Sequence, residues 1–231
     1  MKIVISPSKT MKMTRSEFLE DKELLYTTKH KKVLASLRKL TKPDLAKALS
    51  IKDNLLNQTY TQIKNYNTQE SYHAFPSYTG MVFFNLDRES FKEEEYKYIA
   101  SNIRVLDAFY GILEPGTLIK QYRLDMKAKI GLNLYKHWNI EDYFSNELVI
   151  NLASTEFSKM LHNKMINIHF LQHKNETFIN QATYSKMARG KFLSYLIMKK
   201  VETVEKMKLF KADGYQYNKS LSDELNITFT R

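Results

Sequence analysis

"DRESFKEEEYKYIASNIRVLDAFYGIL" (residues 87–113) carries the clearest helical pattern in the chain. Phe91, Tyr98, Ile99, Ile103, Leu106 and Phe109 recur at helical spacing, and the acidic first turn suits the positive end of a helix dipole. Gly111 and Pro115-Gly116 then mark a tight connection, after which "TLIKQYRLDM" (117–126) reads as helical again. The stretch therefore predicts two helices joined by a short Gly/Pro turn, a helix-hairpin-helix-like element over about 97–126. Such a hairpin can present backbone N–H groups to a phosphate, and Lys120 and Arg123 would add charge on one face of its second helix. Glu114 in the turn opposes that use. An ordinary αα-hairpin explains the same pattern.

Working outward, "KIVI" (2–5) is a short apolar run stopped by Ser6-Pro7, which predicts a buried strand. Residues 16–40 follow a helical period through Phe18, Leu25, Val33, Leu34, Leu37 and Leu40. Pro43 fits the first turn of a further helix over 44–66, with a kink or break inside it. "LVINLAS" (148–154) predicts a second buried strand. "MINIHFLQ" (165–172) predicts a third, pairing with "ETFINQAT" (176–183) as a hairpin. A helix follows at 184–200, and "GYQYNKSLSDELNITFTR" (214–231) predicts two terminal strands around a polar turn. Strands at both ends with helices between predict one intertwined α+β domain of mixed α/β type over 1–231, its central sheet using the N- and C-terminal strands.

Composition narrows the function classes. The 231 residues allow a core that needs no staples, and the absence of cysteine excludes disulfides and thiolate metal sites. The N-terminal apolar run is too short for a secretory signal and no run approaches a membrane span, so a cytoplasmic protein is expected. The formal charge of +11 favours polyanions such as nucleic acid. An AT-rich genome, with its bias to Lys, Asn, Ile and Tyr, produces the same excess without any binding function.

Four places could carry chemistry. "ISPSKTM" (5–11) delivers Ser6, Ser8, Lys9 and Thr10 from a strand end into a loop, where hydroxyls, N–H groups and one Lys can hold a phosphate or carboxylate. The hairpin contributes Gly111, Gly116, Lys120, Tyr122, Arg123 and Asp125. "VINLASTEF" (149–157) places Asn151 and Glu156 at a second strand end, with Ser154 able to cap the next helix. "INQATYSKMARGKF" (179–192) puts Lys186 and Arg189 on nearly one helix face and Lys191 away from it. Gly190 inside that helix costs roughly 1 kcal/mol relative to Ala, so it needs a reason of packing or of access to an anion. The six His show no metal spacing, and no Walker, GxSxG or GxGxxG pattern occurs. No metal, cofactor or catalytic residue is expected.

"ISPSKT" (5–10), "YTG" (78–80), "FYGIL" (109–113), "YRLDM" (122–126), "LYKHW" (134–138), "VINLAS" (149–154) and "ARG" (188–190) occur in this order. The ordered set resembles the YaaA family of bacterial peroxide-stress proteins nearly end to end. That resemblance implies a cytoplasmic protein that limits iron-driven oxidative damage, an unusual α/β fold with a helix-hairpin-helix, and DNA binding through a basic cleft. It brings no catalytic residues. Two departures stand out: Glu114 in the hairpin, and a short region after Trp138. The expected partner is double-stranded or distorted DNA held through phosphates, with Lys9, Lys120, Arg123, Lys186 and Arg189 as the cations, no membrane contact, and a monomer. The alternative is an enzyme acting on a small phosphorylated or carboxylated metabolite held by Arg123, Lys186 and Arg189. A deep pocket with a carboxylate beside the cations favours the enzyme, and a long open basic groove favours DNA.

Overall fold

Lys2–Ile5 forms strand β1, and Ile3, Val4 and Ile5 are all buried, as a strand covered on both faces requires. The computed structural model describes residues 1–231. Three helices follow: α1 (Thr27–Lys39), α2 (Lys42–Leu49) and α3 (Asp53–Lys64). At the start of α2 the Thr41 side chain accepts the Asp44 N–H, with Pro43 in the first turn. Ser50, in the left-handed region at φ 52°, makes the break between α2 and α3 that the sequence suggests. The helical pattern expected from residue 16 becomes a helix only at Thr27. Phe18 and Leu25 are exposed, so 16–26 has no buried stripe to hold a helix. The chain continues through β2 (Tyr72–His73), α4 (Ala74–Ser77) and α5 (Met81–Phe84).

The largest correction falls on 87–126. Helix α6 (Glu93–Asn102) stops at Ile103, where β3 (Ile103–Asp107) begins, and β4 (Gly111–Leu113) folds back on it. Beyond that only β5 (Leu118–Ile119) is regular, paired antiparallel with β2. No helix-hairpin-helix exists here. Ile103, Leu106 and Phe109 are three apart, which suits a helix, but all five residues of β3 are buried and the strand lies parallel to β1. A segment buried all round shows no single apolar face, so its period cannot separate helix from strand. The turn is closed by Asp107, whose carboxylate accepts the N–H groups of Phe109 (2.7 Å) and Tyr110 (3.0 Å). Gly111 supplies φ +87°, and a Cβ there would lie 2.6 Å from the Trp138 ring.

The second half reads α7 (Leu134–Trp138), β6 (Val149–Asn151), α8 (Thr155–Ser158), β7 (Met165–Lys174), β8 (Thr177–Ile179), α9 (Ala182–Met198), α10 (Val204–Met207), β9 (Gln216–Tyr217) and β10 (Asn226–Thr230). The β7–β8 hairpin and the terminal β9–β10 pair form as the sequence indicates. Strand order is β4-β3-β1-β6-β7-β10-β9, with β8 on β7. Strands β3, β1, β6, β7 and β10 are mutually parallel, and antiparallel β4, β8 and β9 finish the edges. The fold is thus a mixed α/β domain built on one continuous hydrophobic core. No helix is long and apolar enough to cross a membrane. From β1 the chain passes to β3 on one side, then returns to β6 on the other. Between β1 and β6 the winding reverses, which is where open α/β sheets place ligand crevices, at the carboxyl ends of the strands.

Candidate functional site

A cavity of about 470 Å³ opens at the carboxyl ends of β1 and β6. Ser6, Ser8, Lys9 and Thr10 leave β1 along one wall, and Glu156 of α8 comes from the segment after β6. Tyr122, Arg123 and Asp125 come from the irregular chain after β5, and Lys186 and Arg189 from α9. Local bonds hold these pieces together. Ser154 sits at the cap position of α8 without making a side-chain cap. Its N–H instead donates to Ser6 Oγ at 2.9 Å, joining the two strand-end loops. The Thr10 N–H donates to Ser8 Oγ at 3.1 Å, and its carbonyl accepts the Thr79 N–H at 3.1 Å. A Cβ on Gly80 would lie 2.2 Å from Ser8 Oγ, so any larger residue there would have to displace the Ser8 side chain from the loop contact. Gly80–Phe83 complete the wall.

The charges are unevenly partnered. Lys9 Nζ pairs with Asp125 Oδ2 at 2.8 Å, and Arg123 Nη1 donates to the Lys9 carbonyl at 3.4 Å. Lys186 is exposed at the rim. Arg189 Nε is buried and has no hydrogen-bond partner, and burial lowers the guanidinium from its ordinary value. Arginine starts so high that it stays cationic at neutral pH. Glu156 Oε1 is likewise buried without a partner. Four cations therefore face two carboxylates, and one carboxylate is already engaged. Such an arrangement can hold an anion with charge-assisted hydrogen bonds.

Beside the cavity lies a group that the sequence reading missed. The hydroxyl of Tyr122, a lining residue, donates to Asp107, and Tyr78 donates to the same carboxylate oxygen at 3.2 Å. Burial pushes the Asp107 carboxyl up to about 6, although its four hydrogen bonds favour the ionised form. The signal was an Asp four residues before a Gly at the end of an apolar run, a turn motif hidden inside the supposed helix.

Residues 1–221 match the family described as peroxide stress protein YaaA. The chain belongs to this family. A UPF0246 protein of Fusobacterium nucleatum is 38% identical over 247 residues, covering 100% of this chain and 99% of that protein. Relatives named UPF0246 protein in Malacoplasma penetrans and Finegoldia magna are 31% and 30% identical, each spanning 100% of this chain and 99% and 98% of their own lengths.

In this YaaA-family chain several expected site residues lie elsewhere. Lys120 Nζ donates to the carbonyls of Tyr66 and Asn67, both at 3.0 Å, and rests over the Tyr66 ring. It pins a loop and does not face the cavity, because the helix that would align it with Arg123 is absent. Gly111 and Gly116 serve close packing, the latter with a Cβ position 2.2 Å from the Glu20 carbonyl oxygen. Glu114 pairs with Arg104 at 3.1 Å. Asn151 donates to Asn167 Oδ1 and accepts the Ala153 N–H, both at 2.9 Å, which shapes the strand end from within. At Gly190 a Cβ would lie 2.3 Å from the Val82 carbonyl oxygen, so this glycine brings α5 against α9 and gives no direct access to an anion. Lys191 turns away to Asp213 at 2.6 Å, as its helical position predicts.

Proposed function

We propose that this peroxide-stress family protein acts by holding a small phosphate- or carboxylate-bearing molecule in the cavity between the ends of β1 and β6. The observation that carries this reading is Arg189, whose Nε is buried beside the cavity without a partner. An unsatisfied buried donor costs about 1–3 kcal/mol, more when charged, and an anion removes that cost. The cavity, about 470 Å³, falls within the range of roughly 300–1,000 Å³ usual for small-molecule sites. Calorimetric titration with inorganic phosphate and pyrophosphate tests it. Wild type should bind, and Arg189→Met and Arg123→Met should each weaken binding tenfold or more. Equal binding by the variants, or none by wild type, overturns the reading.

A second reading, DNA binding through phosphates, has the charge of +11 and the exposed Lys9 and Lys186 in its favour. Without a helix-hairpin-helix such contacts would run through the cavity rim and read no bases. A labelled duplex titrated across a salt series should show a log–log slope shallower by about 0.9 for each lost contact in Arg123→Ala and Lys186→Ala. An unchanged slope removes DNA and leaves the pocket. The tie to iron-driven damage rests on the family resemblance; unchanged free iron and peroxide survival in cells lacking the protein would remove it.

A further inference from the structure

Glu156 is out of place in a cavity built only for anions. Its Oε1 is buried without a hydrogen bond, in the same cavity as the unpartnered Arg189 Nε. These opposite charges do not satisfy each other: Glu156 forms no ion pair, and the cavity's one ion pair joins Lys9 to Asp125. A buried carboxylate oxygen left bare is costly, whereas the buried carboxylate of Asp107 accepts four hydrogen bonds. Inorganic phosphate would satisfy Arg189 and still bind, but it would leave Glu156 bare, so it should bind more weakly than an anion that also answers that carboxylate. A carboxylate set beside an anion site selects against simple anions and for those carrying a donor.

From this we infer that the cavity takes a phosphate monoester that also bears an ammonium or comparable N–H donor group. Its phosphate meets Arg189 and Arg123, and its donor meets Glu156. The inference rests on the anion-site reading above and adds the substrate class to it. Charge is compatible: four cations against two carboxylates leave about two positive charges, and a ligand that joins a phosphate dianion to one ammonium lowers this to about one, with the exposed Lys186 left to water. Apolar side chains, including Val82, Phe83 and Phe157, line the same cavity and suit a short carbon linker.

Matched pairs of probes test this. 2-Aminoethyl phosphate and 3-aminopropyl phosphate are titrated against ethyl phosphate and propyl phosphate at pH 7.5, with wild type, Glu156→Gln and Arg189→Met. At least one amino compound should bind wild type tenfold or more tighter than its alkyl partner. Glu156→Gln, which keeps the side-chain shape, should bring that ratio close to one while alkyl phosphate affinity holds or rises. Arg189→Met should weaken all four. Wild type that binds both members of each pair equally, or a Glu156→Gln protein that keeps the preference, overturns the inference and leaves the anion site standing. Wild type that binds none of the four overturns both.

Discussion

Asp107 and Glu156 are both carboxylates beside the parallel sheet, and Tyr122 connects their surroundings by touching Asp107 while lining the cavity. Around Asp107 every polar group is answered from within the chain. Its two oxygens take four donors. The Tyr66 hydroxyl donates to that of Tyr110, which in turn bonds the Lys120 backbone, and His30 Nδ1 meets the Phe109 carbonyl at 3.1 Å. Around Glu156 and Arg189 the polar atoms are left open. The contrast points to function because the two bare groups share one cavity; Arg88 Nε and Asn163 Oδ1, also bare, lie outside it. A closed polar cluster stabilises one fold, while an open one costs stability that a ligand can return.

The largest expected effect tests the closed side. Asp107→Ala removes the acceptor from two hydroxyls and two N–H groups and should lower unfolding free energy by about 4 kcal/mol in urea titrations. A loss below about 1 kcal/mol would make the cluster no tighter than the cavity. Next comes its pH dependence. The folded protein holds the Asp107 carboxyl up to about 6 against an ordinary 3.8, so the proton is bound more tightly in the folded state. Stability from this group is full below about pH 4 and is lost as pH rises through 6. At roughly 1.4 kcal/mol per pH unit this amounts to about 3 kcal/mol. Asp107→Asn should flatten that fall, read as the difference between the two proteins' stability curves from pH 4 to 7.5. Parallel curves would place the titration elsewhere.

Lys120→Met sharpens the contrast between two cations that are neighbours in sequence. It should cost about 1–2 kcal/mol, through two lost carbonyl contacts, and leave phosphate binding unchanged. Arg123→Met should do the reverse. The smallest effect belongs to the open side: Arg189→Met should leave stability unchanged or raise it by up to about 1 kcal/mol, since it removes a half-buried charge that the chain leaves without a partner. A loss of several kcal/mol in thermal unfolding would show that Arg189 is structural after all.

Much of this was legible. Apolar runs that stop at Ser6-Pro7 and at Asn151 marked strand ends, and the hydroxyls, Lys9 and Glu156 that follow them do line the cavity. Lys186, Arg189 and Lys191 were correctly apportioned by helical spacing alone, because α9 is a real helix. The hydrophobic period is ambiguous where a segment is buried all round. Residues 103–113 are buried on every side, so no polar face disclosed the strands, and Asp107 was passed over inside an imagined helix. The mistaken helix also aligned Lys120 with Arg123, and gave Gly111 and Gly116 to a phosphate rather than to Trp138 and the Glu20 carbonyl.

The sequence by itself determined the α/β class, the strand ends and which side chains could bear charge, since backbone preference and hydrophobic period are set by near neighbours. Only the tertiary structure decided which charges are satisfied. Arg123 reaches the Lys9 carbonyl across 114 positions, and Glu156 and Arg189 share a cavity without meeting. Whether a buried polar atom finds a partner depends on contacts between distant segments, and no local pattern encodes them.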